Sequence, residues 1–142
     1  MSGKLQDILQ DIIPAKNGVI VKSDAIVDRN LRVKGKVISG IYANFWGDVE
    51  ADEVYIGNLS VVRGKITCKK AVIGKGTRFN EIEAEESVVL LGKCKGNRVY
   101  AGKSIKITEG CEIGEIVSKG LIIIDGSSRL NRIEGRKIIA GK

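Results

Sequence analysis

The 142-residue chain has no histidine, one proline, and very few aromatic residues, 4% in all. Without histidine it lacks the commonest general base and the commonest zinc ligand. Without aromatics the core must be built from Val, Ile and Leu, and the β-branched residues among these favour strands. With one proline and 18 glycines, the turns fall to Gly and Asn. No apolar stretch is long enough to cross a membrane, and no charged segment leads into an apolar one as a secretory leader would. Three cysteines without a framework spacing fit a reducing cytosol. The net charge of +7 permits an anionic partner without arguing for one.

What the chain does contain is a repeat. Every seventeenth residue from Val37 reads Val54, Ala71, Val88, Ile105, Ile122 and Ile139, and two positions on stand Ile56, Ile73, Leu90, Ile107 and Ile124. Another column is Phe45, Val62, Phe79, Gly96, Ile113 and Leu130. A fourth, Val49, Ile66, Ile82, Val99, Ile116 and Ile133, drifts by one residue at a single turn. Two positions after it all residues are small: Ala51, Cys68, Ala84, Ala101, Ser118 and Gly135. The pattern weakens upstream, where "GVIVKSDAIV" and "NLRVKGKVISG" read as one or two further turns.

Within each unit the apolar residues alternate, which is the period of a strand. Gly47, Gly64, Asn80, Asn97, Gly114 and Asn131 recur at one bend, a choice that suggests left-handed backbone there. Strands and bends repeated at constant length describe a solenoid coil. Coils in register place each residue about 4.8 Å from its counterpart. An outward column tests this: Asp48, Lys65, Glu81, Arg98, Glu115 and Arg132 alternate in sign at every step. Stacked like charges would repel. The expectation is an all-β, single-domain parallel β-helix over residues 17–142, with about 17 residues and three short strands per coil. Its inward residues do not step by six, so the coil is read as right-handed.

Residues 1–16 read differently. Leu5, Ile8, Leu9, Ile12 and Ile13 stand at helical spacing before Pro14, which predicts a short amphipathic helix serving as a cap over the first coil or as an arm for a partner. It lacks the basic face of lipid-binding helices, so membrane contact is left open.

Few residues carry chemistry, and catalytic, metal and cofactor sites are all expected to be absent. Histidine-dependent acyltransfer, known on left-handed β-helices, is excluded. Cys94 and Cys111 lie one repeat apart in a column of small residues with Ser60, Thr77 and Ser128, so packing is the expected role. "GKGTRFN" and "GKCKGNR" do not match a phosphate loop. The short bends leave no loops to build a glycan cleft, and the basic residues near the C-terminus lack aromatics to stack bases, so no nucleic acid is expected.

Surfaces remain. The column Tyr55, Val72, Val89, Lys106, Ile123 and Ala140 points outward yet is largely apolar, a stripe suited to lateral contact with a protomer, partner or membrane. The ends of a coil expose strand edges and core, and such edges template pairing. Val19, Ile20, Val21, Ile26 and Val27 mark the N-terminal end, and Leu130, Ile133, Ile138 and Ile139 the C-terminal end.

"DRNLRVKGKVISGIYA" (28–43) resembles the opening repeat of the bactofilins, and "VEADEVYIGNLSVVRGKI" (49–66) resembles their repeating unit. The resemblance covers roughly residues 18–142. It implies a cytoskeletal protein forming filaments without nucleotide by end-to-end stacking of right-handed β-helices. Its location would be cytoplasmic or at the inner face of the membrane. Its partners would be itself and other cytoskeletal or membrane-associated proteins. The chain departs from the family where the tail should be, because residues 4–13 look helical. The alternative is a non-polymerising adaptor that uses the N-terminal segment and the apolar stripe.

Overall fold

A computed structural model describes residues 11–141. These are all-β: sixteen strands join one sheet that winds into a parallel solenoid of about seven turns at roughly 17-residue spacing. Strand β1 (Ile12–Ala15) precedes the coils. The first coil is β2 (Gly18–Val21), β3 (Ile26–Val27) and β4 (Leu31–Arg32), and the second is β5 (Lys36–Ser39), β6 (Asn44–Phe45) and β7 (Val49–Glu50). After β8 (Glu53–Ile56), the long β9 (Val61–Ile73) and β10 (Arg78–Leu90) each bend through three sides without a break. The remaining coils are β11 (Lys95–Ala101), β12 (Ser104–Ile107), β13 (Glu112–Ser118), β14 (Leu121–Ile124), β15 (Arg129–Glu134) and β16 (Lys137–Ala140).

Three sides result. Side A stacks β2, β5, β8, the ends of β9 and β10, then β12, β14 and β16. Side B stacks β3 and β6 on the starts of β9, β10, β11, β13 and β15. Side C stacks β4 and β7 on the later parts of the same strands. The inward columns read from the sequence fill the core: Val54, Ala71, Val88, Ile105 and Ile122 are at most 1% exposed. Each fully buried Val or Ile contributes about 1.5–3 kcal/mol, which makes this column the main source of stability.

The alternating column is a continuous ion-pair ladder. Lys65 reaches Glu81 at 3.5 Å, Glu81 reaches Arg98 at 3.6 Å, and Glu115 holds Arg98 at 2.8 Å and Arg132 at 2.9 Å. Asp48 closes its upper end by accepting the Lys65 backbone N–H at 2.8 Å. These groups are partly exposed to solvent, so the ladder sets register more than it adds stability.

Three expectations are corrected. First, Ile12 and Ile13 are not helical. They lie in β1, which pairs antiparallel with β2 through Ile12–Val21 and Ile13–Ile20. Backbone pairing with an otherwise open edge outweighs the helical spacing, and Leu5, Ile8 and Leu9 lie outside the described residues. Second, the last turn is one residue short: Ile122 faces Ile138, and Ile123 faces Ile139. Ile138, not Ile139, therefore continues the inward column. Third, Gly47, Gly64, Asn80, Asn97, Gly114 and Asn131 do not adopt positive φ. Where glycine stands at this bend the coils approach closely, and a Cβ on Gly114 would lie 2.6 Å from the Asn97 carbonyl oxygen. The positive-φ bend lies at the corner between sides A and B, at Tyr42, Leu59, Gly76, Lys93 and Gly110.

Candidate functional site: two ends and one face

The residue that follows that corner explains the small column. Ser60 Oγ accepts the Ala43 N–H at 3.1 Å and donates to the Gly40 carbonyl at 3.4 Å. Thr77 Oγ1 accepts the Ser60 N–H at 3.3 Å and donates to the Gly57 carbonyl at 3.1 Å. Ser128 Oγ repeats the pattern with the Cys111 N–H at 3.1 Å and the Thr108 carbonyl at 3.3 Å. Cys94 donates its thiol to the Gly74 carbonyl at 3.3 Å. The corner thus satisfies backbone groups that its own sharp turn leaves unpaired. The sequence showed that the column is small, but not that it is a hydrogen-bond ladder.

Thiol chemistry does not emerge from this column. Cys94 and Cys111 are fully buried, and Cys68 is 5% exposed. The Cys94 thiol is held well above the ordinary range by the neighbouring Cys111 sulfur and by burial. Cys111 is drawn the other way by the same neighbour. Burial, with Glu85 nearby, pushes Cys68 up to about 12. No side of the Cys94–Cys111 pair opens to a substrate. Among the described residues no three His, Cys, Asp or Glu side chains gather as metal ligands. A shallow groove follows the corner between sides C and A, floored by Ala51, Cys68 and Ala84 and walled by Glu83, Tyr100 and Lys119. Glu83 is already paired with Lys65 at 3.6 Å, and no carboxylate there stands in an enclosed cavity.

The two ends of the solenoid differ. At the N-terminal end Val21 is fully buried and Val27 is 3% exposed, because β1 lies across the edge of β2 and Ile12 packs on the core. Val19 is half-buried, while Ile20 and Ile26 point outward. At the C-terminal end Ile133 is 37% exposed and Ile138 is 46% exposed, with Leu130 half-buried against the core. Among the described residues nothing pairs with the outer edge of β15 or β16. Both strands carry backbone donors and acceptors and apolar side chains aimed at the next layer.

The outward stripe is longer than the sequence reading made it. The register runs Ile13, Ile20, Ile38, Tyr55, Val72, Val89, Lys106, Ile123 and Ile139. Eight of these nine positions are apolar, over about 38 Å at the strand spacing. The one-residue slip in the last turn places Ile139 here instead of Ala140. The Tyr55 hydroxyl donates to Glu53 at 2.5 Å, which ties the ring to its own strand. Beside the upper stripe, the corner exposes Ile41, Tyr42 and Leu59, all nearly half accessible. These three were not legible in the sequence, because the corner interrupts the strand alternation.

No family model matches this chain, and neither does any curated protein or solved structure.

Proposed function

We propose that the chain is a non-enzymatic, self-assembling structural protein whose β-helices stack end to end without nucleotide, as its resemblance to the bactofilins implies. The observation that carries this reading is the C-terminal end. There Ile133 and Ile138 lie exposed on β15 and β16, whose outer edges no described strand pairs with. Such an edge is a template for another chain. Its shape suits one kind of partner: it offers strands around an apolar centre, as the end of a second copy of the same solenoid does. The coil is taken as right-handed, because its inward residues do not step by six. A cytoplasmic location accords with three unpaired cysteines. A filament follows wherever both ends engage a neighbour.

The apolar column from Ile13 to Ile139 favours a second reading, an adaptor that binds a protein or membrane-associated partner along side A. Sedimentation velocity of the purified chain over a wide concentration range, with and without nucleotide, separates the two. End stacking predicts species heavier than the 15.3 kDa chain, more populated at higher concentration and indifferent to nucleotide. A monomer at every concentration contradicts it and leaves the adaptor reading in its place.

A further inference from the structure

Strand β1 is the one antiparallel member among the described strands, and its hydrogen-bond phase can be fixed. It joins β2 through a two-residue turn, Lys16–Asn17, with Ala15 facing Gly18. The Lys22 N–H donates to the Asp11 carbonyl at 2.9 Å, so Asp11 and Lys22 form a hydrogen-bonded pair. Antiparallel pairs alternate between bonded and non-bonded. Ile13–Ile20 and Ala15–Gly18 are therefore bonded pairs, and the backbone groups of Ile12 and Pro14 point to the outer edge. Pro14 is the chain's one proline, and it has no N–H to offer there. Proline on an outer edge is a means of stopping further strand addition.

The steps at the two ends agree with this. Among the described residues side A carries one extra layer at each end, β1 above and β16 below. A head-to-tail contact would bring β16 against the proline-bearing edge of β1. It would also hold sides B and C apart by two missing strands, about 10 Å. Two C-terminal ends meeting about a two-fold axis avoid the proline edge and reduce the gap to one missing strand on one side, about 5 Å. In that arrangement β16 of each copy can lie against β15 of the other, a self-complementary contact.

We propose that β1, with Pro14 on its outer edge, is a built-in end cap, so that the intact chain pairs with a second copy through its C-terminal end alone and stops there. This rests on the end-stacking reading and adds its limit: a filament needs β1 displaced from the edge of β2. The interface is Ile133 and Ile138, and the closed end is marked by Ile26, which is 52% exposed.

The test compares three full-length chains by sedimentation velocity: wild type, Ile138→Lys and Ile26→Lys. Circular dichroism melting checks that each is folded. Wild type and Ile26→Lys should form one discrete species of twice the 15.3 kDa chain mass. Ile138→Lys should weaken the pair at least about tenfold, since each copy loses a buried isoleucine. Ile133→Lys gives the same result through the neighbouring strand should Ile138→Lys fold poorly. Wild-type species larger than two chains, or dissociation by Ile26→Lys, would overturn the cap while leaving end stacking intact. A wild type that stays monomeric would overturn both.

Discussion

Gly96→Val is expected to destabilise the solenoid by about 3 kcal/mol, and a second substitution, Phe79→Val, to restore most of that loss. The two positions are consecutive in the inward column of side B, where Val62 faces Phe79 and Gly96 faces Ile113. A Cβ built on Gly96 would lie 2.1 Å from Phe79 Cε1, far inside van der Waals contact. The ring occupies the volume of its own layer and of the next. Glycine above it is therefore a packing requirement, although it weakens a strand by itself. In Gly96→Val the ring must swing away or the layers must part, and neither is easy for a side chain only 6% exposed. Phe79→Val alone leaves a cavity and should also cost about 3 kcal/mol. In the double variant two valines share the space between Val62 and Ile113, so the loss should fall below about 2 kcal/mol. Urea unfolding midpoints of the four proteins measure the cycle. Additive losses would mean that the ring and the glycine do not share one space.

Thr77→Val should cost about 2–3 kcal/mol, while Thr77→Ser should cost less than about 1. Valine keeps the shape of threonine and removes only the hydroxyl. That hydroxyl is fully buried, takes the Ser60 N–H and gives its proton to the Gly57 carbonyl. Its loss strands one donor and one acceptor away from water, the expensive case for a hydrogen bond. Serine keeps both bonds, as Ser60 and Ser128 do in the same column. A serine loss equal to or greater than the valine loss, read from the same unfolding curves, would contradict the weight given to the corner hydrogen bonds.

These predictions show where the sequence was informative. Columns of Val and Ile at a spacing of 17 fixed the register, because a solenoid repeats its environment at each turn and each position is chosen several times over. The sign alternation from Asp48 to Arg132 confirmed it, since stacked side chains meet directly across neighbouring strands. The ends were less legible because they occur once. Ile12 and Ile13 fit a helical spacing as well as a strand, and only the open edge of β2 decides between them. The slip that exchanges Ile138 for Ile139 lies between Glu134 and Lys137, in a corner shortened by one residue. Column counting alone puts the wrong isoleucine at the end of the core. The left-handed corner escaped because Tyr42, Leu59 and Lys93 occupy it, residues that do not advertise positive φ. There the backbone bonds to the next coil hold the conformation, as in the Leu59 N–H to the Lys75 carbonyl at 2.8 Å.

The placement of the assembly surface at the C-terminal end is tested most directly by amide hydrogen exchange of the full chain across a dilution series. If that end is covered by a second copy, exchange in β15 (Arg129–Glu134) and β16 (Lys137–Ala140) slows as concentration rises, while rates in β1 stay constant. Rates in β15 and β16 that ignore concentration, or slowing confined to the side-A column around Ile38 and Tyr55, would contradict it.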